Sequence, residues 1–255
     1  MATRSQSRGW PAPADRRITR QTPTGIIAAM TDPETESEAL METGNAVKLD
    51  ILSDPICPWC YIGKVQLERA LAERPDHPFV VEWHPFQLNP DMPREGVDRQ
   101  AYLKSKFGDR AEEIYGQIAQ HFETIGVEAN LDAIPRTPNT LDAHRMIHWA
   151  GIEGKQNAMV DALFRANFVE GRDIGNREVL ADIADGIGMD ASVVLRLLES
   201  DADEQAIRDR DAHSREMGVN AVPTFIVASR HAVPGAQPPD LWLKVIDEMT
   251  GAAEG

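Results

Sequence analysis

Between residues 47 and 83 a short apolar run, two cysteines two residues apart, a helical pattern and a second apolar run follow one another. That order constrains the fold more than anything else in the chain. Val47-Lys48-Leu49-Asp50-Ile51-Leu52 has the residue types of a buried strand and ends on Ser53-Asp54-Pro55, a turn signal. After Cys57 the apolar positions Ile62, Val65, Leu67, Ala70 and Leu71 recur at roughly helical spacing until Arg74-Pro75 stops the pattern. Phe79-Val80-Val81-Glu82-Trp83 reads as a second strand. Strand, helix and strand in this order predict a parallel pair with a right-handed crossover. Both cysteines then stand where the first strand passes into the helix.

From Asp98 to Met217 the chain turns helical. Patterns cover 98–107, 109–125, 140–151, 156–170, 176–187, 190–200 and 203–217. Asp98, Asn139 or Thr140, Asn176 and Asp190 stand where N-caps are needed, with side-chain oxygens able to accept from open backbone N–H groups. Strand character returns at Pro223-Thr224-Phe225-Ile226-Val227 and His231-Ala232-Val233, ahead of an amphipathic helix from Pro238 or Pro239 to about Met249. The two ends therefore complete one sheet. We read an α/β domain made of residues 47–91 and 204–255, interrupted by an all-helical domain over 92–203.

Residues 1–46 offer no core. Arg4, Arg8, Arg16, Arg17 and Arg20 stand against Asp15 among Pro, Ser and Thr, and the stretch from Met30 to Glu42 is acidic without apolar periodicity. This composition predicts a disordered extension, with Met1 or Met30 as the start. Gly25-Ile26-Ile27-Ala28-Ala29 is too short for a secretory signal, which predicts a cytoplasmic protein. The chain carries 26 Lys and Arg against 41 Asp and Glu, a net charge of -15 that repels phosphate backbones and anionic lipid. No apolar run approaches the ~20 residues of a membrane-spanning helix. Neither nucleic acid nor a membrane is expected as a partner.

The chain's two cysteines, Cys57 and Cys60, enclose Pro58 and Trp59. A first cysteine at the mouth of a helix faces N–H groups whose dipole favours an anion, so its thiol pKa is expected to fall toward neutrality. The spacer brings Cys60 round one turn to within bridging reach, and Pro58 suits a first turn because its missing N–H would have had no partner there. Such a pair can form a reversible disulfide. Half of a zinc site, or two packed apolar side chains, are the alternatives. Zinc needs two further ligands, and His77 and His84, on either side of the second strand, lack the paired spacing of a finger. No metal is expected.

A second signal lies far off, at Ala221-Val222-Pro223-Thr224-Phe225, where a proline opens a strand after Gly218-Val219-Asn220. Asp54 to Gly63, with Cys57-Pro58-Trp59-Cys60-Tyr61, together with Val219 to Val227 resembles the active site and cis-proline loop of the DsbA-like branch of the thioredoxin superfamily. Phe86-Gln87-Leu88-Asn89-Pro90, Asn139-Thr140-Leu141-Asp142-Ala143-His144-Arg145 and Val233-Pro234-Gly235-Ala236-Gln237 resemble recurring segments of its FrnE-like subgroup, and the match spans residues 47–250. The resemblance implies a thioredoxin fold interrupted by an inserted all-helical domain, a cis Val222–Pro223 bond, and a redox dithiol in which Cys57 attacks and Cys60 resolves. It implies that Pro58, Trp59, Val222 and Pro223 bind substrate, that His144, Asn139 and Thr140 line the cleft from the insertion, and that Tyr61 tunes solvent access or substrate contact. Asp50 is placed behind the motif as a proton relay to Cys60, its carboxyl raised by burial. No bound cofactor is implied; glutathione is a candidate co-substrate, and the partners are thiols and disulfides of proteins or small molecules.

2-Hydroxychromene-2-carboxylate isomerases and kappa-class transferases resemble the same architecture, so a glutathione-dependent isomerase or transferase is the rival reading. Those enzymes usually carry serine where this chain has Cys57. A serine activates glutathione without redox cycling, and the second cysteine favours oxidoreduction.

Overall fold

β1 (Val47–Ser53) is the strand on which everything else is hung. A computed structural model describes residues 46–251, so nearly all of the predicted extension over 1–46, with the choice between Met1 and Met30, lies outside the described residues. Residues 49–53 of β1 are all buried, as expected of a strand covered on both faces. It pairs in parallel with β2 (Phe79–Pro85), Val47 opposite Phe79 and Ser53 opposite Pro85. On its other side it pairs antiparallel with β5 (Thr224–Val227), which pairs antiparallel with β6 (His231–Pro234), giving the order β2-β1-β5-β6. The crossover from β1 to β2 is α1 (Pro58–Glu73), and the last helix, α9 (Pro239–Thr250), packs beside it. β2 runs through His84 to Pro85, two residues beyond the predicted end, so His84 is a strand residue and does not flank the strand.

The intervening chain forms α2 (Arg99–Phe107), α3 (Ala111–Thr124), α4 (Leu141–Ile152), α5 (Gln156–Phe168), α6 (Arg177–Gly186), α7 (Ala191–Leu198) and α8 (Glu204–Glu216). The caps act as their chemistry requires. Asp98 accepts from the Ala101 N–H, Asn176 from that of Val179, and Asp190 from those of Ser192 and Val193. Before α4 the Asn139 carboxamide accepts from the Leu141 N–H at 2.9 Å, while Thr140 turns its hydroxyl elsewhere. A two-residue ladder, β3 (Val97–Asp98) with β4 (Arg136–Thr137), was not foreseen, being too short to carry a period.

The helices and the sheet share one apolar core, which contains Leu49, Ile51, Cys57 and Cys60 together with Met159, Leu163 and Leu198. Tyr61 is part of that joint, which corrects its expected place beside substrate: it is buried and stacks on Phe164, with ring centroids 5.0 Å apart and planes within 5°, flanked by Phe122 and Phe168. The outer edge of β2 is closed by a side chain. The Gln156 carboxamide accepts from Trp83 N–H at 2.9 Å and donates to Trp83 C=O at 3.2 Å, imitating a neighbouring strand. At Gly63 a Cβ would stand 3.1 Å from Pro223 Cγ and 3.3 Å from Phe225, so the missing side chain is what lets α1 lie against the Pro223 loop. Among the described residues no helix is long and apolar enough to cross a membrane.

Candidate active site

Cys57 is the N-cap of α1, in extended backbone, with Pro58 in the first turn. Its carbonyl accepts from the N–H groups of Cys60 (3.1 Å) and Tyr61 (3.3 Å), and its own N–H donates to the Asp54 carbonyl at 2.9 Å. Both cysteines are free thiols and both are buried. The Cys57 thiol donates to the Val222 carbonyl at 3.6 Å, and the Val222–Pro223 bond is cis. Pro223 is buried, Val222 and Pro58 half-buried. Trp59 points outward, with its ring edge-on to His121 of α3 at 4.8 Å. Cys57 and its neighbours thus meet the Val222-Pro223 loop from across the sheet. This juxtaposition of residues 165 apart in sequence is a product of the β1–β5 pairing.

Cys60 lies one turn behind. Burial pushes its thiol well above the ordinary value and the neighbouring Cys57 sulfur adds to this, while the Ser53 hydroxyl and the Asp54 N–H, both hydrogen-bonded to the Cys60 sulfur, oppose it. From sequence, Ser53 and Asp54 read as a turn, with Asp54 opening the segment that resembles the family's active site. The signal available was an acid closing a strand whose other residues are apolar.

Asp54 is fully buried. Its carboxylate accepts from the N–H groups of Leu88 (2.7 Å) and Ile56 (3.3 Å) and from the Thr140 hydroxyl. Burial nevertheless raises the carboxyl to about 7, outweighing those donors, with Asp211 adding to the rise. Facing it, His144 Nε2 lies 3.8 Å from Asp54 Oδ1 and has no hydrogen-bond partner. Burial lowers His144 to about 3, with the Arg210 charge contributing. The acid therefore holds a proton where the histidine does not, the reverse of their order in water.

That inversion has a signature in stability. Asp54, raised from 3.8 to about 7, contributes stability that is full below its unfolded pKa and lost as pH rises toward 7. His144, lowered from 6.5 to about 3, contributes stability that is full above 6.5 and lost as pH falls toward 3. Between 3.8 and 6.5 the folded pair keeps one proton on the acid and the unfolded pair one on the imidazole, so the two slopes cancel. Asp54→Asn is expected to leave the histidine slope alone, stability dropping by about 1.4 kcal/mol per pH unit on acidification within that range. His144→Gln is expected to show the opposite slope. Urea unfolding of the three proteins across this range checks it, and parallel pH dependence in all three would contradict it.

Asp50 requires a correction. It is fully buried, but its carboxyl is not raised: burial pulls it up, and the hydrogen bonds and charges of His84 and Lys48 outweigh that and lower it. His84 Nε2 is 2.5 Å from Asp50 Oδ1 and Lys48 Nζ is 2.9 Å away. Arg210 of α8 donates to His84 Nδ1 at 3.0 Å, which leaves the imidazole proton on Nε2, facing Asp50. Leu49 and Ile51, its strand neighbours, enter the core that holds the cysteines, and alternation along a strand turns Asp50 to the other face. Asp50, Glu82 and His84 form the group among the described residues close enough to hold a metal ion, but Lys48 Nζ already bridges the two carboxylates at 2.9 and 2.8 Å. The zinc reading gains nothing there.

The structure places two further residues expected to line the cleft. His144 is buried and faces Asp54. Asn139 has both ends of its amide engaged, donating to Met92 C=O at 2.6 Å and accepting from Leu141 N–H. It lines a cavity of about 160 Å³ with Arg94, Leu141 and Arg208, which neither cysteine borders.

The fold and this site define a class: a thioredoxin fold carrying a dithiol at the strand-to-helix turn, with a cis-proline loop against it. Residues 48–247 match the DSBA-like thioredoxin domain, and the chain belongs to that family, whose members are disulfide oxidoreductases. YwbO, an uncharacterized protein of Bacillus subtilis, is 29% identical over 205 residues, covering 79% of this chain and 96% of its own. A probable DsbA oxidoreductase of Streptomyces coelicolor superposes with a TM-score of 0.72 at 28% identity, over 80% of this chain and 90% of its own. The cytosolic disulfide reductase DsbM of Pseudomonas aeruginosa, solved with GSH, shares the fold at a TM-score of 0.59 and 22% identity, over 80% of this chain and 99% of its own.

Proposed function

We propose that the chain is a thiol-disulfide oxidoreductase working through Cys57-Pro58-Trp59-Cys60 by way of a mixed disulfide. The observation that carries this reading is the Cys57 thiol at a helix N-terminus, 3.6 Å from the Val222 carbonyl beside cis Pro223, with the second sulfur buried behind it. The Cys57 thiolate attacks a substrate disulfide, forming the mixed disulfide and releasing one substrate thiolate. Cys60 then attacks the Cys57 sulfur, releasing the second substrate thiolate and leaving the Cys57–Cys60 disulfide. An external thiol must reduce that disulfide for turnover, and glutathione is the candidate, a choice supported by the GSH bound to DsbM. Run backward, the same steps oxidise a substrate dithiol.

Pro58, Trp59, Val222 and Pro223 surround the attacking sulfur and are assigned to substrate binding, with backbone groups of the proline loop pairing an extended segment like an added strand. We assign the enzyme to the cytoplasm, where glutathione is reduced and reduction is the expected direction. Residues 92–203 are assigned as the inserted domain.

The test is the redox equilibrium with glutathione, followed by acid quenching and mass analysis, alongside catalysed reduction of insulin. One reversible disulfide between Cys57 and Cys60 and accelerated insulin reduction are expected. A dithiol that stays reduced across the glutathione buffer, with no acceleration, would refute the reading.

A further inference from the structure

Trp59 stands between the two cysteines and is 38% exposed, while Cys57 and Cys60 are buried. One indole in water is ordinary by itself; its partner singles this one out. α1 turns Cys60 and Tyr61 into the core at its first turns, which carries Trp59 outward to meet α3. α3 is held there from beneath. Its Ile118 and Phe122 enter the core, Phe122 lies against Tyr61 with ring centroids 5.6 Å apart, and Arg69 of α1 donates to the Ile125 carbonyl. His121, one residue before Phe122, falls at the border of that buried face and is exposed. Its ring meets the Trp59 indole with centroids 4.8 Å apart and planes at 64°, the edge-to-face arrangement favoured by the positive edge and negative face of aromatic rings. Among the described residues no hydrogen bond engages the Trp59 indole N–H or the His121 ring nitrogens. The pair thus fixes an indole at the rim of the dithiol and leaves the polar atoms of both rings open to a visitor.

We propose that His121 is a positioning residue for polypeptide substrates: it holds the Trp59 indole against α3, and the two rings form a wall that receives the chain flanking the substrate's reacting disulfide. The proposal rests on the oxidoreductase reading above and names its substrate class. A small disulfide engages the cysteine turn and the Val222-Pro223 loop and ends there. A polypeptide continues past them, where its apolar side chains can lie on the indole face and its carbonyls can accept from the indole N–H. The wall joins α1 to a helix from another part of the chain, so it selects among substrates without touching sulfur. His121 takes no part in the exchange of thiols and disulfides itself.

The experiment compares two substrates of one chemistry, insulin and hydroxyethyl disulfide, each reduced with glutathione as the external thiol. His121→Ala frees the indole, and the buried face of α3 keeps the fold. KM for insulin should rise about 3- to 10-fold, the range of one aromatic pair, with the change in KM exceeding that in kcat and exceeding the change in KM for hydroxyethyl disulfide. His121→Phe restores an aromatic edge without the imidazole nitrogens and should recover most of the insulin KM. Trp59→Ala should raise the same KM, and adding His121→Ala to it should add little, because the two rings act as one unit. An unchanged insulin KM in His121→Ala, an equal loss on both substrates, or no recovery in His121→Phe overturns the proposal. Full additivity of the Trp59 and His121 losses overturns it as well. A wild type that turns over neither substrate would instead sink the oxidoreductase reading.

Discussion

Replacing Cys57 with serine is expected to lower catalysed insulin reduction on the order of 10³-fold, about 4 kcal/mol in barrier height, because an alcohol at the helix mouth is not ionised near neutral pH and cannot form the mixed disulfide. Replacing Cys60 should look different. Cys57 still attacks, but nothing behind it resolves the adduct, so Cys60→Ser should accumulate a mixed disulfide visible by intact mass and removed by dithiothreitol. The new hydroxyl would sit between the Ser53 hydroxyl and the Asp54 N–H that now serve the sulfur, so the fold should tolerate it. Equal loss in both variants without a trapped adduct would contradict the assignment of roles. A Cys57→Ser protein with undiminished glutathione-dependent isomerase or transferase activity would favour the rival chemistry.

The largest effect on stability is expected at Arg145, which sequence alone presents as one more charge on a helix. Its guanidinium is fully buried. It pairs with Asp142 at 2.6 Å, donates to the carbonyls of Ala202 and Ser200 at 2.8 and 2.9 Å and to that of Leu197, and lies over the Trp149 ring at 4.8 Å. One cation thus serves the carbonyls of Ser200 and Ala202 beyond the end of α7, adds to the donors on Leu197, and ties that end to α4. Arg145→Ala leaves the Ala202 and Ser200 carbonyls without that donor and a nearly buried carboxylate without its close partner, and should cost about 3–5 kcal/mol. Arg145→Lys should recover little of it, since an ammonium lacks the planar fork that spans several acceptors. Urea denaturation measures both, and a loss under ~1 kcal/mol for Arg145→Ala would contradict the account.

The local order of the chain was legible because it is written at short range. Alternation and apolar runs set β1 and β2, a period near 3.6 marked the helices of the insertion, and Asp98, Asn176 and Asp190 announced their caps through chemistry that acts within three residues. The short β3–β4 ladder and the last two residues of β2 were not legible, since their hydrogen bonds come from partners distant in sequence.

What the sequence by itself determined, then, was the strand–cysteine–helix–strand unit, the helical stretch that follows, and the position of the two sulfurs at a helix start. Tertiary structure alone decided what surrounds the two acids that precede them. Asp50 and Asp54 lie on the same short segment, and nothing local distinguishes a carboxylate paired with Lys48 and hydrogen-bonded to His84 from one sealed away under Thr140 and His144. The physical reason is that a carboxyl's proton affinity depends on desolvation and on charges brought from remote parts of the chain, and those exist only once the helices have closed over the sheet.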